Sequence, residues 1–237
     1  MPRPLRFAPA GWPLHVWCRG NRQQDIFCDD ADRRRYLALM IRHCQENGSE
    51  ILAYCLMRNH VHLILQPSKD DGLTRTMHRI NSEYAQAMHQ KMQVVGHFWQ
   101  GRFGASVMDD RYLWTALRYV ELNPVRVGIA VNAEQWPWSS AAAHVGSGPW
   151  PNWLAREPFC SRRSTDDWRL ALANPVLEPQ RGELRQAIRR NRPLAAREQL
   201  LQWETEYRIQ LQPRDNGRPK RPTIAEERQL AAFANGS

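Results

Sequence analysis

Apolar positions fall into short runs and helical spacings whose order sets out the elements. Leu14-His15-Val16-Trp17-Cys18 reads as a short strand, followed by the turn-like Arg19-Gly20-Asn21-Arg22. Asp29-Asp30 can cap a helix whose apolar residues Tyr36, Leu37, Met40, Ile41 and Cys44 recur at helical spacing until Asn47-Gly48. An aliphatic run from Ile51 to Leu65, broken near Arg58-Asn59, predicts two strands over Ile51–Leu56 and His60–Gln66. Asp71-Gly72 opens a second helix through Leu73, Met77, Ile80, Tyr84 and Met88, ending about Met92. A fourth strand is expected over Arg102–Met108. Asp109-Asp110 then caps a third helix running to about Asn123, where Pro124 discourages continuation.

This order, βαββαβ, is the split βαβ or ferredoxin-like pattern. It predicts an α+β protein with one antiparallel sheet, two helices on a face, and a third helix after it. Between Trp136 and Ser164 the chain is rich in Trp, Ser, Gly and Pro and reads as an irregular connection packed against the domain. From Arg181 a helix-prone stretch carries Leu184, Ile188, Leu200, Leu201, Trp203 and Tyr207. The expected division is a domain over 1–145, a connection over 146–180, and a basic, helical and partly flexible extension over 181–237. No apolar run reaches the ~18 residues of a membrane span, and Met1-Pro2-Arg3-Pro4-Leu5-Arg6 lacks the apolar core of a signal peptide, so a cytoplasmic, nucleoid-associated location is expected.

Charge narrows the partners. The formal net charge is +9, and of 33 Lys+Arg only Lys69, Lys91 and Lys220 are lysines. Arginine's planar fork fits phosphate bidentately and stacks on bases, which points to nucleic acid, although a GC-rich genome also favours arginine codons. The cysteines, Cys18, Cys28, Cys44, Cys55 and Cys160, are odd in number and form no Cys-x-x-Cys pair, so neither a disulfide framework nor a cysteine zinc site is indicated.

In the strand His60–Gln66, His60 and His62 point the same way, about 6–7 Å apart at ~3.3 Å per residue, while Val61, Leu63 and Leu65 point the other way. Two imidazoles so placed can grip one metal ion and leave other positions open for a third ligand and a substrate oxygen. Alone the pair is a weak signal, and by itself it favours two half-buried strand histidines. On the third helix Tyr119 and Asn123 are four apart and share a face. A tyrosine oxygen can attack a DNA phosphate and hold the strand covalently beside such a metal. Tyr119 as a core residue and Asn123 as a C-terminal cap remain open readings. Tyr112 is a rival nucleophile, but its own i+4 residue, Ala116, cannot bind a metal.

His15-Val16-Trp17-Cys18-Arg19-Gly20-Asn21, Tyr54-Cys55-Leu56-Met57-Arg58-Asn59-His60-Val61-His62-Leu63, Phe98-Trp99-Gln100-Gly101-Arg102-Phe103 and Arg118-Tyr119-Val120-Glu121-Leu122-Asn123-Pro124-Val125-Arg126 resemble, in order, the signatures of the single-tyrosine HUH transposases (IS200-like). More narrowly, they look like those of the REP-associated tyrosine transposases of bacteria. The resemblance covers about residues 5–145. It implies a ferredoxin-like HUH nuclease that cuts and joins single-stranded DNA beside hairpin repeats, through a 5′-phosphotyrosine and with Mg²⁺ or Mn²⁺. It makes His60 and His62 metal ligands, Asn123 the third ligand and Tyr119 the nucleophile. Insertion-sequence relatives place glutamine at the Asn123 position, and the shorter asparagine admits a water-bridged contact instead.

Arg58, Arg102, Arg118 and Arg126 flank these motifs and can reach phosphates, as can Arg190, Arg192, Arg218, Lys220 and Arg221 in the tail, where Gly217-Arg218-Pro219 resembles an AT-hook core. Trp12, Trp17, Trp99 and Trp114 can stack unpaired bases or pack in the core. Partners expected are hairpin-bearing single-stranded DNA and no membrane, with a monomer preferred to a homodimer. Rival functions are a catalytically silent hairpin-binding derivative, a replication initiator or relaxase of the wider HUH class, and a His-x-His zinc hydrolase. The length leaves no room for a helicase, and no carboxylate sits at suggestive spacing for a hydrolase.

Overall fold

The computed structural model describes residues 6–174 and 178–211. In chain order they form β1 (Leu14–Arg19), α1 (Asp30–Glu46), β2 (Ser49–Met57), β3 (His60–Pro67), α2 (Gly72–Met92), β4 (Gly104–Val107), α3 (Asp110–Glu121) and the one-turn α4 (Asn123–Arg126). They continue through the one-turn helices α5 (Ala141–His144) and α6 (Phe159–Arg162), then α7 (Thr165–Ala173), α8 (Glu178–Arg190) and α9 (Arg197–Tyr207). The four strands make one antiparallel sheet in the order β2-β3-β1-β4, the ferredoxin-like topology expected from the element order.

Strand alternation divides the core in two. Val16, Val61, Leu63 and Leu65 turn to the face covered by α1 and α2, where Tyr36, Met40, Ile80 and Tyr84 are fully buried with them. α1 begins where the sequence places it: Asp29 accepts from the backbone of Asp32, whose own side chain returns the bond. Ala53, Cys55 and Ile64 turn to the opposite face, which α3 covers with Leu113, Ala116, Leu117 and Val120. So the two helices of the split βαβ unit share one face as expected, and α3 closes the other. It stops at Glu121, and Pro124 falls in the first turn of the next short helix, where its missing N–H costs nothing.

The segment read as a basic extension is, as far as Leu211, seated on the sheet domain. Leu184, Ala187 and Ile188 of α8 join the α3-side core, and Leu194 forms a parallel bridge to Met108 beside β4. Trp203 of α9 is fully buried, with its ring 4.8 Å from that of Trp12 and 5.6 Å from that of Phe7. A few large apolar side chains thus outweigh a polar, arginine-rich composition. α8 can approach because residue 104 is glycine: a Cβ there would lie 2.0 Å from Trp17 Nε1 and 2.7 Å from Asn191 Oδ1. Trp17 Nε1 in turn donates to the carbonyl of Ile188 at 3.3 Å. The stretch after Trp136 carries α5, α6 and α7, with Phe159 and Trp168 buried against α3. No helix of the described residues is long and apolar enough to cross a membrane.

Candidate active site

β3 presents its two histidines to α3. A tight turn at Arg58-Asn59 returns the chain from β2 so that Met57 faces His60 and Cys55 faces His62; on the other side Arg19 and Trp17 of β1 oppose them. Asn59 anchors the turn, donating to Gln23 O at 3.2 Å, while its side-chain oxygen lies 2.7 Å from His60 Nδ1. The His60 and His62 rings are 5.0 Å apart, and Tyr119 meets His62 edge to face at 5.6 Å between centroids. These three side chains are 8%, 6% and 8% exposed, so the sequence pattern and the fold bring them into one nearly closed centre.

Strand spacing alone does not show the third imidazole there. His15 of β1 is fully buried, stacks on His62 with centroids 5.0 Å apart, and sets its Nε2 2.9 Å from His62 Nδ1. Its ring also meets Tyr119 at 6.1 Å. The missing signal was register: His15 reaches the pair only when β1 docks antiparallel on β3, opposite Ile64.

Burial makes all three imidazoles poor bases. It holds His15 down to about 3 and His60 down to about 4, the Arg19 and Arg126 charges adding to the effect at His60. His62 lies well below its ordinary value, through burial first and then the neighbouring His60, His15, Arg126 and Arg19. Neutral imidazoles are the form that ligates metal. The donor set therefore fits a divalent cation: with Nδ1 of His60 facing Asn59 and Nδ1 of His62 facing His15, the Nε2 atom of each ring makes no hydrogen bond to a described residue. Among the described residues no group of three His, Cys, Asp or Glu side chains suits a metal, so a third ligand from those residues would be of another kind.

Asn123, the first residue of α4, is fully buried just past the end of α3. Its Nδ2 donates to Tyr119 O at 2.9 Å and Val120 O at 3.3 Å, and its Oδ1 accepts from Arg126. Arg126 also places its guanidinium 5.5 Å from the Tyr119 ring centre. Tyr112 points elsewhere, its hydroxyl 3.4 Å from Glu183 Oε2 on α8.

The other expected DNA-binding residues scatter. Arg58 is exposed at the turn and paired with Asp25 at 2.9 Å. Arg102 is exposed beside Phe103, Arg190 is exposed at the end of α8, and Arg192 is half-buried. Arg118 donates to the carbonyl of Asn174 at 2.7 Å, a bond that fastens α3 to the end of α7. Arg218, Lys220 and Arg221 lie outside the described residues. The four tryptophans pack inward: Trp99 Nε1 donates to Asn81 O at 2.9 Å, and the Trp114 ring lies 5.8 Å from that of Trp168.

One buried cluster has little trace in the sequence. Glu121, fully buried on the side of α3 away from Tyr119, accepts from Ser140 Oγ at 2.5 Å, His144 Nδ1 at 2.5 Å and Trp168 Nε1 at 2.8 Å. Its one sequence signal is a carboxylate inside the apolar run Tyr119–Leu122.

Sheet topology and side-chain placement define a ferredoxin-like domain whose two strand histidines face a tyrosine on the helix covering them. Residues 12–123 match the family model described as Transposase IS200 like. The chain is 28% identical over 120 residues to a Haemophilus influenzae protein assigned provisionally as a REP-associated tyrosine transposase, covering 46% of this chain and 68% of that one. Its fold is similar to that of a REP-associated tyrosine transposase solved bound to a REP hairpin, with a TM-score of 0.54 and 21% identity over 65% of this chain and 92% of the other.

Proposed function

We propose that the chain is a metal-dependent nuclease and strand transferase for single-stranded DNA, cutting beside hairpin repeats of the REP type through a 5′-phosphotyrosine at Tyr119. The observation that carries this reading is the meeting of Tyr119 with His62, and of His62 with His60, within one chain. The family match and the hairpin-bound neighbour support the choice of DNA.

His60 and His62 would hold Mg²⁺ or Mn²⁺ through Nε2, with Asn123 Oδ1 as a further oxygen, direct or through water. The ion, when bound, withdraws charge from the scissile phosphate. Tyr119 Oη forms the new bond to phosphorus, and the bond from phosphorus to the 3′ oxygen breaks. The phenolic proton is lost and the released 3′ oxygen gains one. Attack by a 3′ hydroxyl on the phosphotyrosine reverses the exchange, restoring a phosphodiester and the phenol without ATP. Arg126, above the Tyr119 ring, carries positive charge to the position where a phosphate would enter. The low pKa values of the imidazoles keep them from carrying protons at neutral pH and leave them to ligation.

The test is incubation of the full chain with end-labelled single strands bearing hairpin repeats from beside its own gene, with Mn²⁺. Wild-type protein should bind, cut and remain covalently attached. Tyr119→Phe should bind and do neither. An adduct that survives Tyr119→Phe and disappears in Tyr112→Phe would reassign the nucleophile, and binding without cutting by the wild type would leave a hairpin-binding protein.

A further inference from the structure

We infer that His15 is a positioning residue for the metal centre, accepting from His62 Nδ1–H in the tautomer that leaves Nε2 bare. This rests on the metal reading above and names a residue that reading does not use. His15 Nε2 and His62 Nδ1 are 2.9 Å apart, so one proton lies between two nitrogens. With one N–H on each neutral ring, two arrangements satisfy the contact. In the first, His62 Nδ1–H donates to His15 Nε2, His62 Nε2 is bare, and the other proton sits on His15 Nδ1. In the second, His15 Nε2–H donates, His62 Nε2 keeps its proton, and His15 Nδ1 is bare.

His15 Nδ1 is buried without a partner among the described residues, so it goes unmet in either arrangement, once as donor and once as acceptor. Hydrogen bonding at His15 therefore imposes neither. A cation does, because it needs a lone pair on His62 Nε2 and so requires the first arrangement. There His15 is the acceptor that keeps the His62 Nδ1–H satisfied and the ring oriented, the role that outer-shell carboxylates and carbonyls play at other histidine metal sites. Its full burial, its stacking at 29° on His62 and its place on the neighbouring strand hold that acceptor rigidly.

The test measures free Mn²⁺ by electron paramagnetic resonance during titration of the full chain. His15→Phe keeps an aromatic ring against His62 and Tyr119 but has no acceptor, and should weaken Mn²⁺ binding about 10- to 100-fold. His15→Gln, whose side-chain oxygen can accept, should bind within a few-fold of wild type. If His15→Phe binds as tightly as wild type while His60→Ala is weakened, the role of His15 is overturned and the metal reading stands. If His60→Ala and His62→Ala also bind like wild type, both fall. Should His15→Phe not fold, long-range ¹⁵N–¹H spectra of the unaltered chain with Mg²⁺ decide the matter. A proton on His62 Nδ1 and none on Nε2 is expected, and an unprotonated Nδ1 overturns the inference.

Discussion

The carboxamide of Asn123 donates to the backbone oxygen of Tyr119 at 2.9 Å, so the two residues are joined through the main chain rather than at the phenol. Asn123 closes α3, and its remaining oxygen accepts from Arg126. A metal would have to share that oxygen with a guanidinium. Asn123→Ala should therefore reduce Mn²⁺ affinity less than His60→Ala does, while costing about 0.5–1.5 kcal/mol of stability per hydrogen bond removed. Titration of Mn²⁺ beside urea unfolding of the two variants measures both. An Asn123→Ala loss of affinity equal to that of His60→Ala would make Asn123 a full ligand.

Metal choice follows from donor type. Two imidazoles make a site softer than Mg²⁺ prefers, and Mn²⁺ stands at the soft end of that comparison. Half-maximal cleavage should need less Mn²⁺ than Mg²⁺, and EDTA should abolish it. His60→Ala and His62→Ala should retain hairpin binding in a gel-shift assay and lose cutting. Full cleavage in EDTA is the result that removes the metal.

Stability should fall with acid in a defined window. Burial keeps His15 near 3, His60 near 4 and His62 well below the ordinary value of about 6.5. In the unfolded chain each takes up a proton as pH drops through about 6.5, and in the folded chain each stays neutral until far lower. Their stabilisation is thus complete above pH 6.5 and is lost as pH falls toward 4 and 3. Each group contributes a slope of about 1.4 kcal/mol per pH unit within its window. Urea unfolding in EDTA at pH 6.5, 5.5 and 4.5 should show this loss, with His15→Phe flattening it by about one such slope. Parallel curves for the two proteins would mean that His15 titrates normally.

The buried anchors after Gln180 should serve folding, and the basic residues after Leu211 should serve DNA. Truncation after Gln180 removes Leu184, Ile188, Leu194 and Trp203, all buried. Deleting one large aromatic side chain costs about 3–5 kcal/mol, against a total stability of about 5–15 kcal/mol, so this product should not fold. Truncation after Leu211 should fold, cut at the same position, and bind hairpin DNA more weakly. For each phosphate that residues 212–237 neutralise in the full chain, the log–log salt slope of the shortened protein should be shallower by about 0.7–0.9. Identical slopes before and after this truncation would rule out a DNA-binding role for those residues.

Legibility in the sequence followed the range of the interactions. The alternation in β3 and the helical spacing of α1 and α2 are local, and they suffice for the ferredoxin-like order and for His60 and His62 on one face. Spacing marks Tyr119, but its meeting with His62 depends on how α3 crosses the sheet. His15 lies 47 residues from His62, and Glu121 lies 47 from Trp168; only tertiary packing joins either pair. The seating of α8 and α9 is hidden for a compositional reason. Their buried residues, such as Ile188 and Trp203, are few among arginines and glutamates, so the stretch reads as a basic, partly flexible extension.

The Glu121 cluster bears on how many DNA ends the protein can manage. For α3 to leave its own sheet and serve a second molecule, this carboxylate would have to give up Ser140, His144 and Trp168 together, and Leu113, Leu117 and Val120 would be exposed. If α3 keeps to its own sheet, the proposed chemistry would confine each molecule to the strand lying at its own histidines, with one severed end held at a time. Excising a segment with two boundaries becomes a matter of sequence: either the first end is handed on before the second cut, or two molecules work side by side, each tethered to one boundary.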